Sequence, residues 1–389
     1  MINFNFNKNC YGCRNCENIC PKGAIKISEN KEGFLVPTIN EEKCIHCGLC
    51  DRKCPYLTFS KSTELKKNIW YSCYLKDVKD REKSSSGGIF PAIAKYFIKN
   101  NGLVCGCIWN EEMKPIHVLT DKLEDIDKMR GSKYMQSDLQ DVIKKIKKEI
   151  NNKKILFTGT PCQIAAVKLY IGKNKNLYTC GLICEGAGSY KVWKKYVKKL
   201  EQKYKSKMTY ASFRNKELGW DSPIAKYKFE NGKIRKVLSF VYDLYVIGFL
   251  QGLYYRNSCN NCQYKGDGHN SDILIGDLWG ATKKQLTETQ YKGISAVILN
   301  TDIGKEMFEN VKKEFSYKEI EPQQVIKFNK LLIESINKHK NRDEFYSNLD
   351  NIDIMKNIKK NIYKNKRNDI IKEILYKMKI FRLVKDLKK

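Results

Sequence analysis

The spacing of apolar residues changes along this chain and predicts different elements in different parts. From about residue 69 to 330, short runs rich in β-branched and aromatic residues precede segments whose apolar residues recur at helical spacing. The clearest examples are GLVCGCIW, KKILFTGT with PCQIAAVKLY, NLYTCGLIC with SYKVWKKYVKKL, SDILIGDLWG, and ISAVILN with IGKEMFENVKK. Strands that alternate with helices predict an α/β domain.

The two ends of the chain have other patterns. Residues 1 to 58 are dense in cysteine and contain no long periodic segment, which is typical of a small domain held together by metal clusters. Residues 59 to 68, FSKSTELKKN, indicate a polar linker. From about residue 331 the pattern is helical, and Asn351 to Lys389 contains 13 Lys or Arg against 4 Asp or Glu.

The basic C-terminal segment carries an apolar face formed by Ile371, Ile374, Leu375 and Met378. Such a helix can bind an anionic membrane or an acidic protein, although packing on its own chain is the commoner outcome. Nowhere do about 20 apolar residues follow one another, as a membrane span requires. The N-terminus shows no signal peptide, so we predict a cytoplasmic location.

Composition adds a size estimate and a question about partners. The chain has 389 residues, 42% of them apolar, and a formal charge of +30 from 73 Lys and Arg against 43 Asp and Glu. This length suffices for roughly two to three domains. The charge favours an acidic partner or simply reflects a lysine-rich composition. We find no zinc-finger, RNA-recognition or helix-turn-helix signature, so no nucleic-acid partner is expected.

The cysteines near the N-terminus form a duplicated motif. One C-x2-C-x2-C-x3-C-P run is repeated with every cysteine displaced by 34 positions. In such runs three thiolates hold one cubane and the fourth reaches the other. Zinc also binds C-x2-C pairs, but zinc explains neither the longer run nor its duplication. The predicted 4Fe-4S ligands are Cys10, Cys13, Cys16 and Cys54 for one cluster, and Cys44, Cys47, Cys50 and Cys20 for the other.

A third group of cysteines lies further along the chain. In ILFTGTPCQIAAVKLY, Thr160 is predicted to cap a helix that begins at Pro161. Cys162 then lies in the first turn, where free N–H groups favour a thiolate or an anionic cluster. Cys184 ends a predicted strand, and Cys259 and Cys262 form another C-x2-C pair. Spacing alone leaves open whether these four ligate a third cubane or are buried thiols.

Several short motifs occur in a specific order over residues 1 to about 330. They are SSSGGIFPAIAKYFIKNNGLVCGC, MRGSKYMQSDL, ILFTGTPCQIAAVKLY, CEG, GFLQGLYYRNSCNNC, SDILIGDLWG and YKGISAVILNT. Together they resemble the family of coenzyme F-420 hydrogenase/dehydrogenase beta subunits, in the form with a fused N-terminal ferredoxin. The resemblance implies an FAD-containing iron–sulfur protein, with Cys162, Cys184, Cys259 and Cys262 as ligands of a third 4Fe-4S cluster. Cys73, Cys105, Cys107 and Cys180 fall outside these motifs and are interpreted as buried thiols.

The resulting architecture combines α+β and α/β parts. We predict a bacterial-type dicluster ferredoxin domain over 1–58, a mixed α/β flavin-binding domain with parts at 69–150 and 151–330, and a basic helical tail over 331–389. Two departures from the family concern Glu185, where many members have His, and Asn270, where many have Arg.

The flavin contacts are assigned by motif. A serine-glycine loop at a helix N-terminus suits the flavin diphosphate, although such a loop is also an ordinary helix cap. The RGSKY segment offers cationic and aromatic groups for phosphate and ring contacts or is a surface loop. Trp279 flanks a ring or belongs to the core. The candidate residues are Ser84, Ser85, Ser86, Gly87, Gly88, Arg130, Gly131, Ser132, Lys133, Tyr134, Gly159, Thr160, Asp277 and Trp279.

The expected function is that of an iron–sulfur flavoprotein oxidoreductase that moves electrons between ferredoxin-type clusters and FAD. Its hydride partner is the deazaflavin coenzyme or an unidentified metabolite, with surface-polysaccharide biosynthesis as one setting. Two alternatives stay open: an electron-relay subunit that serves a separate redox partner protein, and a scaffold with structural clusters. No acid or base residue is assigned, because the cofactor carries the difficult chemistry.

Overall fold

A computed structural model describes residues 5–61, 64–281 and 292–363. The strands are β1 Ile25–Glu29, β2 Leu35–Ile39, β3 Ile69–Leu75, β4 Leu103–Trp109, β5 Pro115–Thr120, β6 Ile155–Gly159, β7 Leu177–Leu182, β8 Met208–Asn215, β9 Ile224–Phe229, β10 Ile234–Leu238, β11 Ile273–Asp277, β12 Ser295–Leu299 and β13 Phe315–Glu319. The helices are α1 Phe6–Asn9, α2 Asn15–Ile19, α3 Leu49–Arg52, α4 Val78–Glu82, α5 Ile89–Lys99, α6 Leu123–Met129, α7 Val142–Glu149, α8 Pro161–Ile171, α9 Tyr190–Tyr204, α10 Ser239–Tyr242, α11 Leu244–Leu250, α12 Asp302–Val311, α13 Pro322–Ile326, α14 Arg342–Ser347 and α15 Ile354–Asn361.

The largest sheet has eight strands in the order β13-β3-β12-β11-β7-β6-β4-β5. β4, β6, β7 and β11 are parallel neighbours, whereas β12 is antiparallel to both β11 and β3. β3 therefore runs in the same direction as the four parallel strands, and the carboxyl ends of all five meet at one edge. In open α/β sheets this edge is where ligands bind.

Both faces of the large sheet are covered. Val104, Leu156 and Cys180 project to the side where α5, α6 and α12 pack. Cys105 and Phe157 alternate with them and face α7 and α8 on the opposite side. Burial on both faces explains why these strands consist of continuous apolar runs.

A second lobe contains the antiparallel sheet β10-β9-β8. Its core is aromatic and includes Trp193, Tyr227 and Tyr245, which are each fully buried. Asp243 lies within this core and accepts hydrogen bonds from the hydroxyls of Tyr196 and Tyr227, each at 2.9 Å. Residues of α14 and α15 pack into the same core, so these two helices belong to this lobe.

The N-terminal domain repeats its backbone as well as its sequence. Gly12 and Arg14 in the first cysteine loop have φ values of 65° and 63°, and the residues 34 positions later, His46 and Gly48, have 52° and 69°. A left-handed conformation is costly for Arg and His. The left-handed conformation recurs at equivalent positions of the two cysteine loops, which indicates that the tight curvature of each loop requires it.

Buried polar contacts dock the N-terminal domain on the rest of the protein. Arg256 is 3% exposed and donates to the carbonyl oxygens of Cys10 and Leu35, both at 2.8 Å. The Arg14 guanidinium contacts both carboxylate oxygens of Asp138, at 2.5 and 2.9 Å. These contacts fix the first cysteine loop against the α/β domain.

The predicted strand and helix units all occur in the structure, and the mixed α/β character of the domain is confirmed. The apolar face of Ile371, Ile374, Leu375 and Met378 lies outside the described residues. No helix in the described ranges combines the length and the apolar character that crossing a bilayer requires.

Candidate functional site

The first predicted ligand set converges in space. Cys10, Cys13, Cys16 and Cys54 line one cavity, although Cys54 is distant from the others in sequence. Burial raises the pKa of the Cys13 and Cys16 thiols, and the neighbouring cysteines raise it further. Each of these thiols makes the ionisation of its neighbours less favourable. A metal centre between them would offset this effect with its positive charge, because a thiol that coordinates a metal is deprotonated.

The second predicted set lies nearer the surface. Cys20 and Cys50 pack in one apolar cluster with Ile25, beside the first set. Cys44 is half-buried and Cys47 is exposed. Ile45, between them, is 56% exposed. This loop is therefore accessible to another molecule.

The third predicted set also comes together. Thr160 caps α8 with Pro161 as its first residue, so Cys162 lies in the first turn, as predicted. Cys162 is close enough to Cys184, Cys259 and Cys262 for the other three thiols to raise its pKa, after the larger effect of burial. The backbone N–H of Ala187 donates to Cys259 Sγ at 3.3 Å. In the described residues, no group of three or more His, Cys, Asp or Glu side chains is arranged to hold a single metal ion.

The four remaining cysteines lie in strands of the large sheet. Cys73, Cys105 and Cys180 are buried in β3, β4 and β7, and Cys107 is half-buried in β4. Burial raises the pKa of all four thiols.

The two loops predicted to bind the flavin phosphates contact each other at the carboxyl edge. Ser132 donates its N–H to Ser85 Oγ at 2.9 Å. Arg130 donates to the backbone oxygen of Asp80 and forms an ion pair with its carboxylate. Lys133 Nζ lies within 3.3–3.4 Å of four carbonyl oxygens at and just beyond the end of α6, those of Lys128, Met129, Arg130 and Gly131, and donates among them. Both cations therefore already have acceptors within the protein.

Tyr134 belongs to an aromatic stack. Its ring lies parallel to Phe213 at 5.3 Å and to Phe249 at 4.5 Å between centroids. Two aromatic rings thus stack on Tyr134, and its hydroxyl lies beside Arg214. Burial raises the pKa of Tyr134 to about 12, against the influence of the nearby Arg214.

Arg214 and Asp277 form a bidentate ion pair beside this stack. Arg214 Nη1 and Nη2 donate to the Asp277 carboxylate at 2.9 and 3.1 Å. Trp220 Nε1 donates to the same carboxylate at 2.6 Å, and its ring stacks on Trp279 at 4.9 Å. The predicted residues Asp277 and Trp279 therefore share one polar and aromatic group with Arg214 and Trp220.

Arg214 and Trp220 were not identified from the sequence. They come from β8 and the segment after it, within ASFRNKELGW, which carries no motif that we recognised. Of the two departures from the family pattern, Glu185 lies in this group, where burial raises its pKa and Arg214 lowers it. Asn270 is elsewhere, with its backbone oxygen accepting from Lys168 Nζ at 2.7 Å.

The two remaining candidates, Gly159 and Thr160, lie with the third thiol set rather than with the serine loop. Thr160 Oγ1 is 3.3 Å from Cys162 Sγ, and the Thr160 N–H donates to Gln163 Oε1 at 3.1 Å. The carboxyl edge of the sheet thus carries two neighbouring regions: a thiol set around α8, and a polar and aromatic group around Arg214.

Comparisons with known proteins match the same two parts of the chain. A model of the 4Fe-4S dicluster domain matches residues 9–57. Models of the coenzyme F420 hydrogenase/dehydrogenase beta subunit match residues 70–144 with their N-terminal part and 152–325 with their C-terminal part.

Individual relatives are distant. One subunit of the F(420)H(2) dehydrogenase of Methanosarcina mazei is 25% identical over 328 residues, which are 80% of this chain and 84% of that protein. The coenzyme F420-dependent sulfite reductase of Methanocaldococcus jannaschii is 29% identical over 163 residues, 41% of this chain and 24% of the reductase. A chain of the F420-reducing NiFe hydrogenase complex of Methanosarcina barkeri aligns with 21% identity and a TM-score of 0.47, covering 70% of this chain and 90% of that one.

Proposed function

Because the chain belongs to the family of coenzyme F420 hydrogenase/dehydrogenase beta subunits and carries a 4Fe-4S dicluster domain, it is an iron–sulfur oxidoreductase or electron-transfer subunit, and we propose that it connects three clusters to a flavin. The observation that carries the proposal is the convergence of Cys162, Cys184, Cys259 and Cys262 beside both the N-terminal domain and the Arg214 group. Four buried thiols between two such regions suit a cubane.

The residues proposed to hold each group follow from this arrangement. Cys10, Cys13, Cys16 and Cys54 would ligate one cluster, Cys20, Cys44, Cys47 and Cys50 the second, and the set around Cys162 the third. FAD would lie along the carboxyl edge between the Ser84–Gly88 loop and Trp279. When bound, the clusters supply single-electron transfer, and the flavin couples it to hydride transfer with an organic partner. Arg214 still has an Nε–H without an acceptor in the described part of the chain, which fits a polar cofactor there.

Two tyrosines fill the space between the first and third thiol sets. Tyr11 and Tyr264 are 7% and 4% exposed, and their rings meet edge to face at 5.5 Å between centroids. Cys162 and Cys262 pack against this pair. The Tyr264 hydroxyl donates at 2.6 Å to the carbonyl of Pro55, the residue after Cys54. We infer that the first thiol set is the one nearer to the third set. The second set, whose Cys44–Cys47 loop is exposed, would then face external electron carriers.

Replacement of Tyr264 by leucine is expected to slow flavin reduction severalfold and to leave the iron content unchanged, because the smaller side chain opens a gap between the two thiol sets. Stopped-flow absorbance after mixing with a reduced ferredoxin would measure the rate. Tyr264→Phe keeps the ring and is expected to react as the wild type does. Equal rates in all three proteins would contradict the inferred order.

The organic partner is proposed from the relatives. Two of them carry coenzyme F420 in their names, so the deazaflavin is the first substrate to test. The relatives reported above include none from surface-polysaccharide metabolism, and that setting remains a prediction from the sequence, as does the cytoplasmic location. An electron-relay role fits equally well, because one relative is named as a subunit and the Cys47 loop is exposed. A stable complex with a second redox protein would favour it.

Anaerobic purification with iron, sulfide and flavin analysis tests the proposal. We expect about twelve iron atoms and about one FAD per chain, all reducible by dithionite. About eight iron atoms without flavin would overturn the proposal. Clusters that are present but cannot be reversibly reduced would instead support the scaffold alternative.

A further inference from the structure

Tyr255 carries a buried hydroxyl without a hydrogen-bond partner. The residue is fully buried, and among the residues that the structure describes no group donates to its hydroxyl or accepts from it. The preceding residue, Tyr254, is equally buried, but its hydroxyl donates to the backbone oxygen of Tyr245. Buried hydroxyls are nearly always hydrogen-bonded. The Tyr255 hydroxyl therefore indicates a partner that the polypeptide does not supply.

Backbone contacts hold Tyr255 beside the third thiol set. Tyr255 and Gly188 form an antiparallel bridge, so the chain that follows Cys184 runs alongside the chain that leads to Cys259. The N–H of Ala187 donates to Cys259 Sγ at 3.3 Å in the same place. Two of the four predicted cluster ligands thus lie on the two chain segments that pair at Tyr255.

The Tyr255 ring lies between the third thiol set and the aromatic stack of Tyr134. A Cβ on Gly186 would overlap with Cδ2 and Cε2 of the ring, so the ring packs directly on the backbone two residues after Cys184. The Phe249 ring meets it edge to face, at 4.8 Å between centroids. Phe249 in turn stacks on Tyr134. Tyr255 therefore connects the proposed site of the third cluster with the region proposed for the flavin.

The surroundings of the hydroxyl keep it protonated. Burial raises the pKa of Tyr255 well above its usual value, and Glu185, Cys184 and Cys259 raise it further. A protonated phenol can donate one hydrogen bond. The hydroxyl is thus a donor that lies near two thiols of the third set.

We propose that the Tyr255 hydroxyl donates a hydrogen bond to a sulfur of the third cluster and thereby raises the reduction potential of that cluster. The inference rests on the proposed function and adds to it a residue that tunes the electron-transfer step before the flavin. When one electron arrives from the N-terminal domain, the O–H dipole stabilises the added negative charge, and the proton stays on the phenol oxygen. Hydrogen bonds to cluster sulfurs are one of the ways in which proteins set these potentials.

Replacement of Tyr255 by phenylalanine tests the proposal, because it removes one oxygen atom that has no partner within the described protein. A redox titration of the anaerobically purified full chain, followed by electron paramagnetic resonance, measures the potentials of the clusters. The signal of the third cluster is the one that Cys162→Ala lacks. At a given potential, Tyr255→Phe is expected to lower the ratio of reduced to oxidised third cluster about tenfold. This change corresponds to a potential about 59 mV more negative for a one-electron couple.

Tyr254→Phe is the matched control. It removes the hydroxyl of an equally buried tyrosine whose acceptor, the Tyr245 carbonyl, belongs to the protein. The potential of the third cluster should stay at the wild-type value in this variant. The iron content and the potentials of the two N-terminal clusters should be unchanged in both tyrosine variants.

A second measurement detects the hydrogen bond itself. Electron–nuclear double resonance of the reduced third cluster should show an exchangeable hydroxyl proton in the wild type and in Tyr254→Phe that Tyr255→Phe lacks. The proposal is overturned if that proton is absent from the wild type, if Tyr255→Phe leaves the potential unchanged, if both tyrosine variants shift it equally, or if only the flavin potential changes. A wild-type protein with about eight iron atoms and no third cluster signal would overturn the proposed function itself, which separates the two failures.

Discussion

Replacement of Cys162 by alanine is expected to lower the iron content from about twelve to about eight atoms per chain and to abolish reduction of the flavin through the N-terminal domain. Cys162 lies in the first turn of α8 and shares one site with Cys184, Cys259 and Cys262, so its loss removes a ligand from a buried set. The clusters of the N-terminal domain depend on other cysteines and should persist. Iron analysis and the visible spectrum of anaerobically purified protein would show this result.

Cys180→Ala is the matched control. Cys180 is fully buried in β7 but belongs to none of the three thiol sets, and the same change there should keep all the iron. If the iron content of Cys162→Ala were the same as that of the wild type, these four cysteines would be buried thiols, which is the alternative that their spacing left open. Loss of all iron would indicate that the substitution unfolds the protein.

Local patterns allowed the sequence to predict the positions of several site residues. The Thr160–Pro161 start of α8 depends on neighbouring residues, and it placed Cys162 in the first turn. The duplicated cysteine run predicted that Cys54 returns to the first loop, and the two share a cavity. The strand that ends at Asp277 could be recognised as an apolar run because it is buried on both faces.

Contacts between residues distant in sequence were not predictable in the same way. Arg214 pairs with Asp277, which is 63 positions away in the sequence. Arg214 lies in β8, which belongs to an antiparallel sheet that no sequence motif predicted. The stacking of the Tyr134 ring likewise depends on Phe213 and Phe249, which the sequence does not place beside it.

Replacement of Asp277 by alanine is expected to destabilise the protein by about 3–5 kcal/mol, because it leaves the Arg214 guanidinium buried without its counter-charge. The Arg214 side chain is 4% exposed and Asp277 accepts two of its hydrogen bonds. Trp220 loses the acceptor of its indole N–H in the same variant. Urea unfolding under anaerobic conditions, followed by far-UV circular dichroism, would measure the change.

Asp350→Ala is a control for the loss of a surface ion pair. Asp350 is 61% exposed and pairs with Lys191 at 2.7 Å and Lys195 at 3.0 Å, and because both pairs are at the surface its removal should cost less than about 1 kcal/mol. If Asp277→Ala also lowered the free energy of unfolding by less than about 1 kcal/mol, Arg214 would not behave as a buried charge that depends on Asp277.

The double variant Arg214→Met with Asp277→Ala separates stability from cofactor binding. Replacement of both partners of a buried ion pair by apolar residues is often nearly neutral, so the double variant should regain the part of the stability that Asp277→Ala loses by leaving Arg214 unpaired, while the indole N–H of Trp220 still lacks its acceptor. Its flavin content should nevertheless stay low, because Arg214 and Asp277 lie together with Trp279 at the edge proposed for the flavin. If the double variant regained both stability and flavin, the pair would support the fold alone, and the flavin would have to be assigned to other residues of the carboxyl edge.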